Sequence, residues 1–184
     1  MPTVVIPGGS GLLGKALSRF LSAKGYEVVI LSRSIPKQGA NSNPKIRFAQ
    51  WHTRNQTIEA GVIENADAII NLAGASVAEK RWTEKRKKEL IESRVKSGET
   101  IVKALREKPN KVSVAINASG IGWYGEDKES TKQTKGFVET DPHANNFLGT
   151  TCEKWESSIA PVSDLGKRLV ILRIGLALSN EGGA

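Results

Sequence analysis

The stretch "IPGGSGLLGKAL", residues 6–17, carries glycines at Gly8, Gly11 and Gly14, with a fourth at Gly9. It follows "TVVI" (3–6), a β-branched run that reads as a buried strand. It opens a segment in which Leu12, Leu13, Ala16, Leu17, Phe20 and Leu21 recur at helical spacing, with Gly25 as a C-terminal stop. A second buried strand, "EVVIL" (27–31), comes next. A G-x-G-x-x-G pattern alone says little; between a strand and a helix it has a physical reading. The first glycine permits a tight turn, the middle one lets a pyrophosphate approach the backbone, and the last lets helix and strand pack closely. The helix N-terminus then presents free N–H groups and a positive dipole end to phosphate. Lys15 follows Gly14 directly, a spacing too short for a loop that wraps a triphosphate, so a dinucleotide is favoured over ATP or GTP.

The second strand indicates which dinucleotide. An NAD site usually places a carboxylate there to hold the ribose 2′-hydroxyl. This chain has "ILSRS", with Ser32 and Arg33 and no acid. An acid would repel a 2′-phosphate, whereas a guanidinium fork and a hydroxyl would hold one. The expected cofactor is NADP(H), ahead of NAD(H).

Further along, "KIRFA" (45–49), "DAIINLAG" (67–74), "KVSVAINASG" (111–120) and "RLVILRIG" (168–175) read as strands. "NQTIEAGVIENA" reads as a short, poor helix. The strongest helix starts at a Thr83 cap, shows Leu90, Ile91, Val95, Ile101, Val102 and Leu105 on one face, and ends before Pro109. "NNFLGTTCEKWESSIA" adds a helix with Phe147, Cys152, Trp155 and Ile159 on related faces. Strands alternate with helices, and several strands are apolar throughout, as strands covered on both faces must be. The expected fold is α/β: a Rossmann-type doubly wound parallel sheet in one domain spanning residues 1–184.

Composition narrows the function. Hydrophobic residues at 39% and charged residues at 25% exclude a disordered chain, and no run is long enough for a membrane span. "MPTVVIPGG" runs directly into a strand pattern without a leader-like segment. A single cysteine, Cys152, suits a reducing compartment, so a cytoplasmic location is expected. His52, His143 and Cys152 have no zinc-like spacing, so no metal site is expected. The net charge is +8, and residues 80–96 carry eight basic and three acidic residues, or +5 of it. That segment reads chiefly as a solvated helix face. Without aromatic stacking motifs nearby, nucleic acid is a minor alternative.

"GGSGLLG", "NLAGA" and "ASGIGWYG" together resemble the extended branch of the short-chain dehydrogenase/reductase superfamily. "RWTEKRKKELIESRV", "FLGTTCEKWE" and "LVILRIGLALSNEGGA" look like its atypical nucleoside-diphosphate-sugar epimerase-like members, of unresolved substrate. The resemblance covers essentially the whole chain. It implies dinucleotide contacts at Gly8, Gly9, Gly11, Leu12, Leu13 and Gly14, and adenine-ribose contacts at Ser32 and Arg33. It implies that Leu72, Ala73, Gly74 and Ala75 lie against the cofactor, small enough for the backbone to approach the ribose and pyrophosphate. Pro7 departs from the polar residue common before the glycines and removes a backbone donor, but it precedes the turn. Members of that family continue well beyond "NEGGA", so a C-terminal portion on the substrate side of the cleft is expected to be lacking.

The superfamily's usual catalytic set is a Ser at the end of the fifth major strand and Tyr-x-x-x-Lys on the next helix, the Lys lowering the Tyr pKa. Ser119 matches the strand end, but Phe147 and Thr151 stand where Tyr and Lys are expected. A literal Tyr124-x-x-x-Lys128 contains Gly125 and reads as a turn. Ser119 and Tyr124 are therefore the catalytic candidates, with Arg81, Lys85 and Arg94 as further polar groups that read first as structural or solvated. The leading function is an NADP(H)-dependent oxidoreductase or epimerase-like enzyme on an unidentified small substrate, with nucleotide-linked compounds among the candidates, without the usual Tyr–Lys pair. The alternative is a non-catalytic dinucleotide-binding module that mediates protein–protein contacts. The long helix from residue 83 is a candidate surface for a homodimer, by analogy with related folds.

Overall fold

The computed structural model describes residues 1–35, 43–126 and 136–179. Seven strands form one sheet: β1 (Thr3–Pro7), β2 (Glu27–Ser32), β3 (Ile46–His52), β4 (Thr57–Ile58), β5 (Ala68–Asn71), β6 (Val114–Gly120) and β7 (Arg168–Ile174). The order is β4-β3-β2-β1-β5-β6-β7. All neighbours are parallel except β3 and β4, which are antiparallel. The chain winds outward from β1 in one direction through β2 and β3, then returns to place β5, β6 and β7 on the other side. The strand order thus reverses at the β1–β5 boundary, where a doubly wound sheet opens its binding crevice.

Alternation along β1 and β2 sends side chains to both faces. Val4, Ile6, Val28 and Ile30 meet Leu17 and Leu21 of α1 (Leu12–Ala23). Val5, Val29 and Leu31 join the core on the opposite face. There they share it with Ile101 and Leu105 of α2 (Glu84–Glu107) and Ile159 of α3 (Phe147–Ile159). Burial on both faces explains the unbroken apolar strands.

Capping is local and follows the sequence. Thr83 Oγ1 accepts from the Arg86 amide at 3.2 Å, and Asn146 Oδ1 accepts from the Gly149 amide at 2.8 Å. The face of α1 differs from its apolar spacing. Gly14, Ser18 and Ser22 are its buried residues, whereas Leu13 and Phe20 are 42% and 59% exposed. Small residues on the inner face let this helix sit close to the sheet.

Residues 55–66 do not form a helix. Thr57 and Ile58 pair with His52 and Trp51 in a tight hairpin, and Gln56 turns the chain with φ 51°. Trp51 and Ile58, both almost fully buried, drive this pairing. Among the described residues, no helix is long and apolar enough to cross a membrane.

Candidate functional site

A cleft of about 740 Å³ opens at the carboxyl ends of β1, β2, β3 and β5. Its walls include Gly8, Gly11, Ser32, Arg33 and the Leu72–Ala75 segment, so three stretches separated in sequence converge. Gly9, Leu12, Leu13 and Gly14 belong to the same turn and helix start but are not on the cleft wall.

What a side chain would strike separates the glycines. A Cβ on Gly14 would collide with Gly9 Cα and lie 2.5 Å from the Gly8 carbonyl oxygen. Gly8 has φ +82°, and a Cβ there would lie 2.6 Å from the Leu72 carbonyl. These two positions must be glycine because the protein fills the space. At Gly11 the nearest atom to an added Cβ is the Gly8 oxygen, at 3.4 Å. Internal packing leaves room at Gly11, on the cleft wall, as close ligand approach requires.

Gly11 is also the N-cap of α1. No side chain caps this helix, and its first turn holds no acidic residue. The first N–H groups of a helix have no partner within it. Here they directly follow Gly11 of the cleft wall, at the positive end of the helix dipole, an arrangement suited to a diphosphate.

The opposite wall is built by hydrogen bonds. Asn71 Oδ1 accepts from the Ala73 amide at 3.2 Å, and Ser93 Oγ on α2 accepts from the Ala75 amide at 3.0 Å. Asn71 is itself locked to Asn117 Oδ1 at 2.7 Å in the interior. The Leu72 amide donates to the Pro7 carbonyl at 2.9 Å, so Pro7 still serves the β1–β5 junction. Gly74 has a reason the sequence did not suggest. An added Cβ would sit 3.1 Å from Arg94 Cζ, so the missing side chain makes room for a guanidinium from α2. Arg94 donates to the Leu90 carbonyl and lies 5.0 Å from the Trp155 ring centroid. Burial lowers its pKa, and no carboxylate pairs with it among the described residues.

The basic segment contributes three cations to the cleft: Lys80, Arg86 and Lys96. Arg81 and Lys85 stay exposed and off its wall. Arg86 is buried, donates to the Ser76 carbonyl at 2.6 Å, and pairs with Glu89 at 2.8 Å. That contact is the main reason the Glu89 carboxyl is held below its usual value. Arg54, at the tip of the β3–β4 hairpin, also lines the cleft; reading residues 55–66 as a helix concealed this placement.

Ser119 and Tyr124 occupy a second polar cluster and do not line the cleft. Ser119 Oγ donates to Glu156 Oε1 at 2.6 Å. Arg173 binds both carboxylate oxygens of Glu156 at 3.0 Å and donates to the Tyr124 hydroxyl at 2.9 Å. The Glu156 contact is the chief cause that raises the Arg173 pKa. Arg173 and Glu156 are thus the residues that join the two candidates, from β7 and α3. Tyr124 follows a 3-10 turn and precedes Gly125 at φ +77°, which rules out a helical Tyr-x-x-x-Lys; Lys128 lies outside the described residues.

Phe147 heads α3 with its ring edge-on to Trp82, and Thr151 is buried, donating to the Phe147 carbonyl at 2.6 Å. Neither can exchange a proton as a Tyr–Lys pair does. The buried Cys152 thiol is pushed up in pKa mainly by desolvation. Among the described residues, no group of three His, Cys, Asp or Glu side chains could hold a metal ion.

The geometry agrees with comparison to known proteins. Residues 4–147 match the model of the NAD dependent epimerase/dehydratase family. The chain belongs to that family. It is 32% identical over 180 residues to an epimerase family protein of Mycobacterium bovis, covering 98% of this chain and 55% of that protein. With an epimerase family protein of Staphylococcus saprophyticus it shares 33% identity over 184 residues, covering 100% of this chain and 58% of the relative. The chain therefore spans little more than half the length of these curated relatives. Its fold matches a crystal structure of human epimerase family protein SDR39U1 (isoform 2) with NADPH. That match has a TM-score of 0.79 and 27% identity, over 99% of this chain and 56% of the other. It also matches the nucleoside-diphosphate sugar epimerase of Corynebacterium glutamicum (TM-score 0.76, 32% identity, 100% and 36% coverage).

Proposed function

We propose that this chain forms the NADP(H)-binding part of an epimerase- or oxidoreductase-like enzyme acting on a small, nucleotide-linked substrate. One observation carries the reading: Gly11, whose missing side chain no protein atom replaces, shares a cleft with Arg33. Their places, at the start of α1 and just beyond the end of β2 in one cleft, suit a diphosphate and a 2′-phosphate respectively. NADPH in the human relative's structure supports the same choice. A cleft walled by Gly8, Gly11 and the Leu72–Ala75 segment fits an extended dinucleotide lying across the switch point.

When bound, the cofactor supplies hydride transfer. The chain's own residues bind and orient it, and supply a proton to the substrate. For that proton Ser119 and Tyr124 are our candidates. Glu156 holds the Ser119 hydroxyl, and Arg173 donates to the Tyr124 oxygen, which leaves the phenolic proton free to point elsewhere.

The test is paired titration with NADPH and NADH. Arg33→Ala is expected to weaken NADPH far more than NADH; equal loss would overturn the 2′-phosphate assignment. Turnover with a panel of nucleotide-linked sugars separates an enzyme from a binding module. If Ser119→Ala and Tyr124→Phe each leave turnover untouched, the catalytic assignment is wrong.

A further inference from the structure

The hairpin between β3 and β4 ends at the cleft, and it carries a cation. Trp51 and Ile58 pair across its base and are both almost fully buried. Two further bonds tie the base: the Gln50 amide donates to Glu59 Oε2 at 3.0 Å, and the Glu59 amide donates to the Gln50 carbonyl at 3.0 Å. The tip is therefore held by a fixed platform. Thr53 and Arg54 at that tip line the cleft together with Ser32 and Arg33. β2 and β3 are parallel neighbours, with Ser32 level with Gln50, so both arginines sit just beyond adjacent strand ends.

Charge balance on the cleft wall singles out two guanidiniums: Lys80, Arg86 and Lys96 are matched in number by Glu79, Glu89 and Glu92, which leaves Arg33 and Arg54. A phosphate monoester carries about −1.5 to −2 charges near neutral pH. Arg33 offers one positive charge. Of the acids on the wall, Glu89 is already occupied by Arg86 at 2.8 Å. Neither Arg33 nor Arg54 has an acidic partner within ion-pair distance among the described residues. Two guanidiniums on one dianion would match its charge and offer fork-shaped donors from two sides.

We propose that Arg54 is a second determinant of cofactor choice, closing with Arg33 on the 2′-phosphate of the dinucleotide. This rests on the NADP(H) reading above and adds to it a residue, an element and a two-sided geometry. Arg54 is exposed at a turn, so its replacement leaves the core intact.

The experiment measures NADPH and NADH dissociation constants for the unmodified chain, Arg54→Ala, Arg54→Lys and Arg33→Ala, with the thermal midpoint as a folding control. Arg54→Ala is expected to weaken NADPH about tenfold or more, equivalent to about 1.4 kcal/mol, and to leave NADH within about twofold. Arg54→Lys is expected to fall between, since it keeps the charge and loses the fork. Equal weakening of both dinucleotides by Arg54→Ala, or no effect on either, overturns the inference. If Arg33→Ala discriminates and Arg54→Ala does not, Arg54 alone is misassigned and the cofactor reading stands. If the unmodified chain shows no preference for NADPH, both fail.

Discussion

Arg173 Nη1 lies 2.9 Å from the Tyr124 hydroxyl, while the rest of the guanidinium grips Glu156 and stacks 3.7 Å from the Trp123 ring centroid. One cation from β7 thus organises the loop after β6, a carboxylate of α3 and, through that carboxylate, Ser119. Its side chain and that of Glu156 are only 15% and 13% exposed. Removing one partner strands a largely desolvated charge. Arg173→Ala is expected to cost about 3 kcal/mol of stability, read by urea denaturation. Tyr124→Phe removes a single hydrogen bond and should cost about 1 kcal/mol. Equal costs for the two variants would mean the ion pair is not the organising contact.

The glycines of the first turn should divide into two classes. Gly14→Ala forces a Cβ into Gly9 and the Gly8 carbonyl, an overpacking worth about 1–3 kcal/mol. Gly11→Ala fits the fold and, as a poorer helix cap, should cost under about 1 kcal/mol. Its effect should appear instead in dinucleotide affinity, as a loss of about tenfold or more. Thermal midpoints and NADPH titrations on both variants check this separation.

Acid should weaken the β1–β5 junction. Asp67 accepts from the Thr3 amide at 2.7 Å and pairs with Lys111 at 3.0 Å. The Thr3 amide, then Lys111, hold its carboxyl below the usual value. A depressed folded pKa means the unfolded chain binds the proton more readily, so stability rises with pH across that interval. The contribution is present above the unfolded value and is lost as pH falls through the folded one. Asp67→Asn should lower stability at neutral pH and converge with the unmodified chain in acid. Parallel stability curves from pH 7 down to pH 3 would contradict this.

Restoring the superfamily lysine should not be a simple exchange. Thr151 is 5% exposed, and its hydroxyl is already bonded to the Phe147 carbonyl. An ammonium at that depth would need a partner, and among the described residues no carboxylate is bonded to Thr151. Thr151→Lys is expected to lose at least about 2 kcal/mol in denaturant titration. Unchanged stability would show that space for a cation exists beside α3.

Local rules settled much of this molecule from its residues alone. The glycine spacing, the apolar strands and the Thr83 cap depend on neighbours within a turn or two, so they are legible in order along the chain. They sufficed for the Rossmann-type sheet and for one wall of the cleft. They did not suffice where pairing is non-local. Ile58, Val62 and Ile63 suit a helix by spacing, yet Ile58 instead pairs with Trp51 across a hairpin, and this is what brings Arg54 to the cleft. Gly74 gives way to Arg94 of α2, and Ser119 and Tyr124 become one cluster only because Glu156 and Arg173 arrive from α3 and β7. Sequence periodicity decides which face of an element is buried. Only the packed sheet and helices decide which charges meet, because those charges come from separate elements.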